Sequence, residues 1–180
     1  MKGVKIEEIL LVKKAIKGDR NSFEELINIY FDRLYKEAYL RCKYEDDAKE
    51  IVQETIYKAY KSINTLKEPK YFKTWISKIL INVANDYLRK NGMIDLNHKE
   101  DDYICEVHND NNVEVKIDLY NAIDELEDKY KDAIILRYIN DLKLEEISII
   151  LDRPVNTIKT HLRKAIKDMK NLLKEGYIND

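Results

Sequence analysis

Apolar residues recur along this chain at intervals of three and four rather than two, a pattern that predicts helices almost throughout. Ile6, Ile9, Leu10, Lys13 and Ile16 mark a first short helix. Gly18 is placed to end it, because glycine enters the left-handed conformation past a helix terminus without steric cost. "NSFEELINIYFDRLYKEAYLRC" begins a second helix, with Ser22 and Glu25 at the spacing of a capping box and Phe23, Leu26, Ile27, Tyr30, Leu34 and Ala38 as its stripe. "EDDAKEIVQETIYKAYKSI" reads as a third. Asp46 or Asp47 is expected to cap it, and Ala48, Ile51, Val52, Thr55, Ile56, Ala59 and Ile63 to face inward. After the loop "NTLKEPKY", "FKTWISKILINVANDYLRK" forms a fourth, with Phe72, Ile76, Ile79, Leu80, Val83 and Tyr87 at helical spacing and Asn91-Gly92 at its end.

The periodicity lapses over residues 93–112, "MIDLNHKEDDYICEVHNDNN", an acidic, Asn/Asp-rich stretch that reads as a flexible linker. It resumes at Val113. "VEVKIDLYNAIDELEDKYKDAIILRYIND" holds one or two helices, and "KLEEISIILD" a short one with Leu144, Ile147, Ile150 and Leu151 inward. Arg153-Pro154 breaks that helix before a long final one. Two helices joined by a tight turn at the end of a small bundle form a helix-turn-helix candidate. The expected fold is therefore all-α: a domain over 1–92, an acidic linker over 93–112 and a helix-turn-helix domain over 113–180.

Composition fits this picture. Four glycines and two prolines in 180 residues argue against a β fold rich in tight turns. Net charge is -2, yet the charge is segregated. Residues 1–92 carry 19 Lys/Arg against 14 Asp/Glu, residues 93–112 carry 1 against 6, and Arg153–Lys174 carries 7 against the single acid Asp168. A nucleic-acid surface can thus sit on a chain with no overall basic charge. Cys42 and Cys105 lack a CxxC spacing and read as structural thiols of a reducing compartment. His98 and His108 near Cys105 do not form a structural zinc pattern. The N-terminus has no apolar signal core, and no apolar run approaches the ~18 residues of a membrane span. No metal or cofactor is expected, and the chain is expected to be cytoplasmic.

Placed at 100° per residue, the last helix gathers Ile158, Leu162, Ala165, Ile166, Met169, Leu172 and Leu173 within about a third of its circumference. Asn156, Lys159, Thr160, Arg163, Lys164, Lys167, Lys170 and Asn171 lie on the other side. A solvated basic face would account for them. The short preceding helix, the turn length and the clustering of Asn156, Thr157, Lys159 and Thr160 at the N-terminal end favour a recognition helix entering a major groove.

A second region, "LKEPKYFKTWISK", interleaves Lys67, Lys70, Lys73 and Lys78 with Tyr71, Phe72 and Trp75. Aromatic rings beside cations suit unpaired bases, and Asn82 and Asn85 follow along the helix. Phe72 and Trp75 equally suit the core at a helix start, and Asn residues equally serve local backbone.

Taken together, these stretches resemble a known family. "DDAKEIVQETIYKAYKSI" resembles the D-A-x-D-L-V-Q-E-T-F-x-K-A-Y signature of domain 2 in sigma factors of bacterial RNA polymerase. "YFKTWISKILINVANDYLRK" resembles the segment that follows it. "LRYINDLKLEEISIILDRPVNTIKTHLRKAIKDMK" resembles domain 4. The resemblance covers nearly the whole chain in the right order. The length and the short linker are similar to the extracytoplasmic-function group.

The resemblance implies that Asp47, Glu50, Gln53 and Glu54 bind the clamp coiled coil of the polymerase's largest subunit, with the flap as a further contact of the core enzyme. It implies that Lys67, Lys70, Tyr71, Lys73, Trp75 and Asn82 read and open the minus-ten element of promoter DNA. Asn156, Thr157, Lys159, Thr160, Arg163 and Lys164 are implied to read the minus-thirty-five duplex. It also implies an anti-sigma partner, commonly membrane-anchored, that would hold the chain at the membrane. No small-molecule substrate and no enzymatic activity of its own are implied. The sequence departs from the pattern where Asn156 replaces the usual Gly, Ser148 the common Ala and His161 a frequent Arg. Asn tolerates unusual backbone angles at the turn, and His161 is expected to cost a phosphate contact. A free-standing helix-turn-helix regulator would explain Arg153–Lys174 but leaves the first two motifs without a role. A purely structural helical bundle would leave the basic face docking an acidic partner.

Overall fold

The computed structural model describes residues 2–91 and 113–176, and every regular element among them is helical. The elements are α1 (Lys2–Ile16), α2 (Arg20–Cys42), α3 (Glu45–Ser62), α4 (Phe72–Lys90), α5 (Val113–Asp124), α6 (Asp128–Ile134), α7 (Leu144–Leu151) and α8 (Val155–Gly176). They separate into two compact units: α1–α4 build one, and α5, α6, α8 and the start of α7 build the other. The stretch read as an acidic linker, with His98, Cys105 and His108, lies outside the described residues.

In the first unit the anticipated stripes of α2, α3 and α4 meet in one core, whereas Ile6 and Leu10, expected on the stripe of α1, are exposed. Leu26, Leu34 and Ala38 of α2, Ala48, Ile51 and Val52 of α3, and Phe72, Ile76, Leu80 and Ala84 of α4 are almost wholly buried. Each large side chain among them contributes roughly 1.5–3 kcal/mol by leaving water. α1 closes the bundle with Val12 and Ala15. Gly18, at φ 94°, turns the chain from α1 into α2. Ser22 and Glu25 do not form the expected capping box. Asp19 is the N-cap: its carboxylate accepts from the Asn21 N–H at 3.1 Å and from the Ser22 hydroxyl at 2.8 Å. That hydrogen bond to Ser22 is the first reason the Asp19 carboxyl titrates below its ordinary range. Neither Asp46 nor Asp47 caps α3 either. Tyr44 occupies the cap position, and Glu45, Asp46 and Asp47 fill the first turn, where negative charge complements the helix dipole.

The connection from α3 to α4 is made of two short 3-10 turns, Ile63–Thr65 and Pro69–Tyr71. Ile63 and Leu66 are buried and pin it to the core. Pro69 opens the second turn, where a missing N–H costs nothing.

In the second unit α5 and α6 pack against α8, with Ala122, Ile123, Ala133, Ile134, Ile158 and Ala165 buried. Lys131 is also buried, its Nζ 3.4 Å from the Asp124 carboxylate. Beyond α6 the helix widens into a π-helical stretch, Ile135–Ile139, and the Arg137 guanidinium donates to the Leu142 carbonyl at 2.8 Å, tying down the turn before α7. At the start of α7, the Glu146 carboxylate accepts from the Lys143 N–H at 2.8 Å.

The bend from α7 to α8 occupies residues 152–154. Asp152 takes the left-handed conformation, φ 50° and ψ 50°. Both its N–H and that of Arg153 reach the Ser148 carbonyl. The Ser148 hydroxyl donates to the Arg153 carbonyl at 2.5 Å. Ser148 thus closes the bend with both its carbonyl and its side-chain hydroxyl. Asn156, expected to absorb unusual backbone angles, lies inside α8 and needs none.

Candidate nucleic-acid and partner interfaces

α8 has the two faces that its sequence predicts. Ile158, Leu162, Ala165 and Met169 are buried, while Asn156, Lys159, Thr160, Arg163 and Lys164 are exposed and Thr157 is half-buried. The exposed residues are not equivalent. The Lys164 ammonium pairs with Asp168 at 2.9 Å, one turn along the same helix, and that hydrogen bond raises its pKa. The Thr160 hydroxyl donates back to the Asn156 carbonyl at 3.0 Å. Lys159 and Arg163 have no ion pair among the described residues, so their charge is uncommitted.

His161 sits on the flank, half-buried, with its ring edge-on to Tyr130 of α6 at 5.3 Å between centroids and 85° between planes. Its Nδ1 is enclosed. The ring is thus a packing joint between α6 and α8, a role that the reading of His161 as a lost phosphate contact did not include. The sequence carries the signal, since His161 precedes the buried Leu162 and lies beside the apolar stripe rather than opposite it.

The basic and aromatic residues before and along α4 also sort themselves. Lys67, Lys70, Tyr71 and Asn82 are exposed. The Lys70 ammonium lies 4.9 Å from the Tyr71 ring centroid, a cation beside an open aromatic face. Lys73 and Trp75 are half-buried. Phe72 is a core residue, edge-on to Tyr30 at 5.2 Å. Trp75 packs on Phe72 at 5.8 Å and against the core while leaving part of its ring open. At 100° per residue, Trp75, Lys78 and Asn82 follow one line along α4, half a turn from Leu80 in the core, and Tyr71 ends the 3-10 turn just before the helix. Rings, a cation and a side-chain amide in this succession suit an unpaired strand, whose bases stack while its backbone is held.

On α3, Glu50, Gln53 and Glu54 are exposed and Asp47 is half-buried. Its other acids are matched by cations on the same helix: Glu54 by Lys58 at 3.4 Å, and Asp46 and Glu45 by Lys49 at 3.2 and 3.6 Å. Asp47 and Glu50 have no ion pair among the described residues. They converge instead on the phenol of Tyr87 of α4, which donates to Asp47 Oδ1 at 2.8 Å and lies 3.4 Å from Glu50 Oε2. That hydrogen bond to Asp47, ahead of desolvation, pushes the Tyr87 pKa above the usual phenol range. An open groove of ≈ 620 Å³ runs between the two helices, lined by Glu50, Gln53, Glu54, Tyr57, Asp86 and Tyr87 among others. The sequence treated Tyr87 as one more stripe residue. Its polar tip at the end of an otherwise aliphatic stripe was the available signal.

Among the described residues, no group of three His, Cys, Asp or Glu is arranged to hold a metal ion. No helix there is long and apolar enough to cross a membrane. Cys42 is buried, its Sγ donating to the Tyr44 carbonyl at 3.3 Å.

Comparison with known proteins covers both units. Residues 26–93 match the family described as Sigma-70 region 2, and residues 116–169 match Sigma-70, region 4. The chain is 42% identical over 137 residues to the RNA polymerase sigma factor SigV of Bacillus subtilis, covering 76% of this chain and 81% of that one. It is 29% identical to the ECF RNA polymerase sigma factor SigW of the same organism, over 91% of this chain and 95% of that one. Among solved structures, CnrH in complex with the cytosolic domain of CnrY superposes with a TM-score of 0.70 at 18% identity, covering 93% and 97% of the two chains. The sigma factor RpoE in complex with the anti-sigma factor NepR from Bartonella quintana superposes with a TM-score of 0.71 at 22% identity, covering 84% and 96%.

Proposed function

Because the chain belongs to the extracytoplasmic-function sigma factors of the sigma-70 family, we propose that its three exposed surfaces divide the work of promoter-specific initiation. The first unit acts as sigma domain 2 and the second as sigma domain 4. Glu50, Gln53 and Glu54, with Asp47 at their edge, meet the basic clamp coiled coil of core RNA polymerase, where complementary charge favours encounter and register. Tyr71, Trp75 and Asn82, flanked by Lys67, Lys70 and Lys73, take the unpaired minus-ten strand. Asn156, Thr157, Lys159, Thr160, Arg163 and Lys164 read the minus-thirty-five duplex, with Lys159 and Arg163 contributing most because their charge is uncommitted.

The single observation that carries this reading is the occurrence of both matched segments, in order, on one chain. A free-standing helix-turn-helix regulator has no use for the acidic α3 face or the aromatic line on α4. Catalysis stays with the polymerase, and this chain supplies selection and strand opening. A sigma factor of the same fold, RpoE, is seen in complex with the anti-sigma factor NepR. That supports an anti-sigma partner here, and a cytoplasmic chain held at the membrane where that partner is anchored.

Run-off transcription with core polymerase tests the proposal. Initiation at a defined start site only when this chain is added is the expected result. Duplex binding without core-dependent initiation would identify a free-standing regulator, and neither activity would leave only a structural bundle.

A further inference from the structure

We propose that Tyr87 is a positioning residue of the polymerase-binding surface: its neutral hydroxyl fixes the Asp47 and Glu50 carboxylates on α3 without cancelling their charge. The proposal rests on the reading of the α3 face as the polymerase contact. Tyr87 itself needs no contact with the partner.

Asp47 and Glu50 are three residues apart, so they share a face of α3. Their carboxylate oxygens lie 2.8 and 3.4 Å from one phenol oxygen. Two like charges this close repel, and long acidic side chains at a surface sample many rotamers. Elsewhere on α3 that problem is met by a cation on the same helix, as Lys58 does for Glu54. A lysine compensates the charge that it positions, and an incoming basic side chain must then displace it. A phenol orders a carboxylate and leaves its full negative charge facing outward. The ring packs against the core of the first unit, so the hydroxyl is carried on a rigid support. Tyr87 reaches across from a helix 40 residues on, which makes it a fixed post rather than another mobile surface chain.

The consequence is energetic. Immobilising a rotamer-rich side chain at an interface opposes association. If Asp47 and Glu50 are ordered beforehand, that cost is met in the free protein. Removing the hydroxyl alone should weaken binding of the full chain to core polymerase about 3- to 10-fold.

The test is a mutant cycle on the full-length chain, read as the Kd for reconstituted core polymerase. Tyr87→Phe keeps the ring and is expected to weaken binding by that factor, with circular dichroism unchanged. In an Asp47→Asn, Glu50→Gln background the same substitution should change the Kd by less than about 2-fold, because there is no charge left to position. Asp47→Ala leaves Tyr87 intact and removes its main acceptor. It is expected to weaken binding at least as much as Tyr87→Phe, and it serves as the test should Tyr87→Phe lose helical signal.

An unchanged Kd for Tyr87→Phe or, if that variant does not fold, for Asp47→Ala, overturns the proposal. So does a loss that persists in full in the double-substituted background, since that is how a merely structural residue would behave. Glu50→Gln with Glu54→Gln separates this inference from its premise. If that pair leaves core binding intact, the α3 reading itself fails. If it weakens binding while Tyr87→Phe does not, only the positioning role fails.

Discussion

The clearest consequence of the α8 geometry concerns three side chains within two turns. Arg163 and Lys164 are neighbours in sequence and both exposed, yet among the described residues only Lys164 of the two is paired, with Asp168 at 2.9 Å. Arg163→Ala should therefore remove a charge already free to meet DNA. If Arg163 contacts a base edge, about 1–3 kcal/mol is lost, which is roughly 5- to 150-fold in affinity. If it contacts a phosphate, the slope of log K against log salt should fall by about one. Lys164→Ala should cost less, because that ammonium must first leave Asp168. Asp168→Asn should tighten binding, by releasing Lys164 and removing the acid paired with it. None of these side chains is buried, so thermal stability should move by no more than about 0.5 kcal/mol for Arg163→Ala. The assay is anisotropy of a labelled promoter duplex with holoenzyme across a salt series, alongside run-off yield. If Lys164→Ala costs more than Arg163→Ala, or if Asp168→Asn weakens binding, the ranking by ion-pair commitment is refuted.

Other predictions follow from the remaining contacts. Trp75→Ala should both impair strand opening and lower the stability of the first unit by about 2 kcal/mol, since the ring is partly packed against the core. Trp75→Phe should restore most of the stability, and permanganate footprinting of the melted strand together with thermal unfolding will separate the two effects. His161→Ala should cost about 1 kcal/mol through the lost ring contact with Tyr130 and leave the salt slope of promoter binding unchanged. A slope lower by one would show instead that His161 itself meets a phosphate. Tyr30 and Tyr87 are both held above the ordinary phenol range, Tyr30 chiefly by burial with Glu8 next, Tyr87 chiefly by its bond to Asp47. Their contribution to stability is full below pH about 10 and is lost as pH rises through their folded-state values. Urea midpoints between pH 9 and 12 should therefore fall, and fall less steeply in Tyr87→Phe.

Most helix faces were legible in the sequence because side-chain periodicity reports burial directly; α1 is the exception, its buried residues being Val12 and Ala15 rather than Ile6 and Leu10. α4 spans the whole of "FKTWISKILINVANDYLRK", and the apolar stripe of α8 is buried from Ile158 to Met169. The ends were less legible. Ser22 and Glu25 have the right spacing for a cap, but the chain leaves the helical conformation at Asp19, and only the backbone decides which acceptor is used. The widening at Ile135–Ile139 changes backbone hydrogen bonding without breaking the apolar run, so no period reveals it. Asn156 was assigned the strain that Asp152 bears, because a family glycine pointed to the wrong side of Pro154. In the candidate sites, exposure of the charged residues was predictable, but their commitments were not. The bond from Tyr87 to Asp47 joins residues 40 apart, a relation that composition and local spacing do not encode.

The bend before α8 has a bearing on how such a protein can be re-targeted. Ser148, Asp152 and Arg153 close it among themselves, and none of them is among the residues assigned to reading sequence. The bend and the proposed reading positions are thus encoded separately. On the proposed reading, a library varied at positions 156, 159 and 163 is expected to sample new promoter preferences on an unaltered frame, which opens altered specificity to stepwise selection.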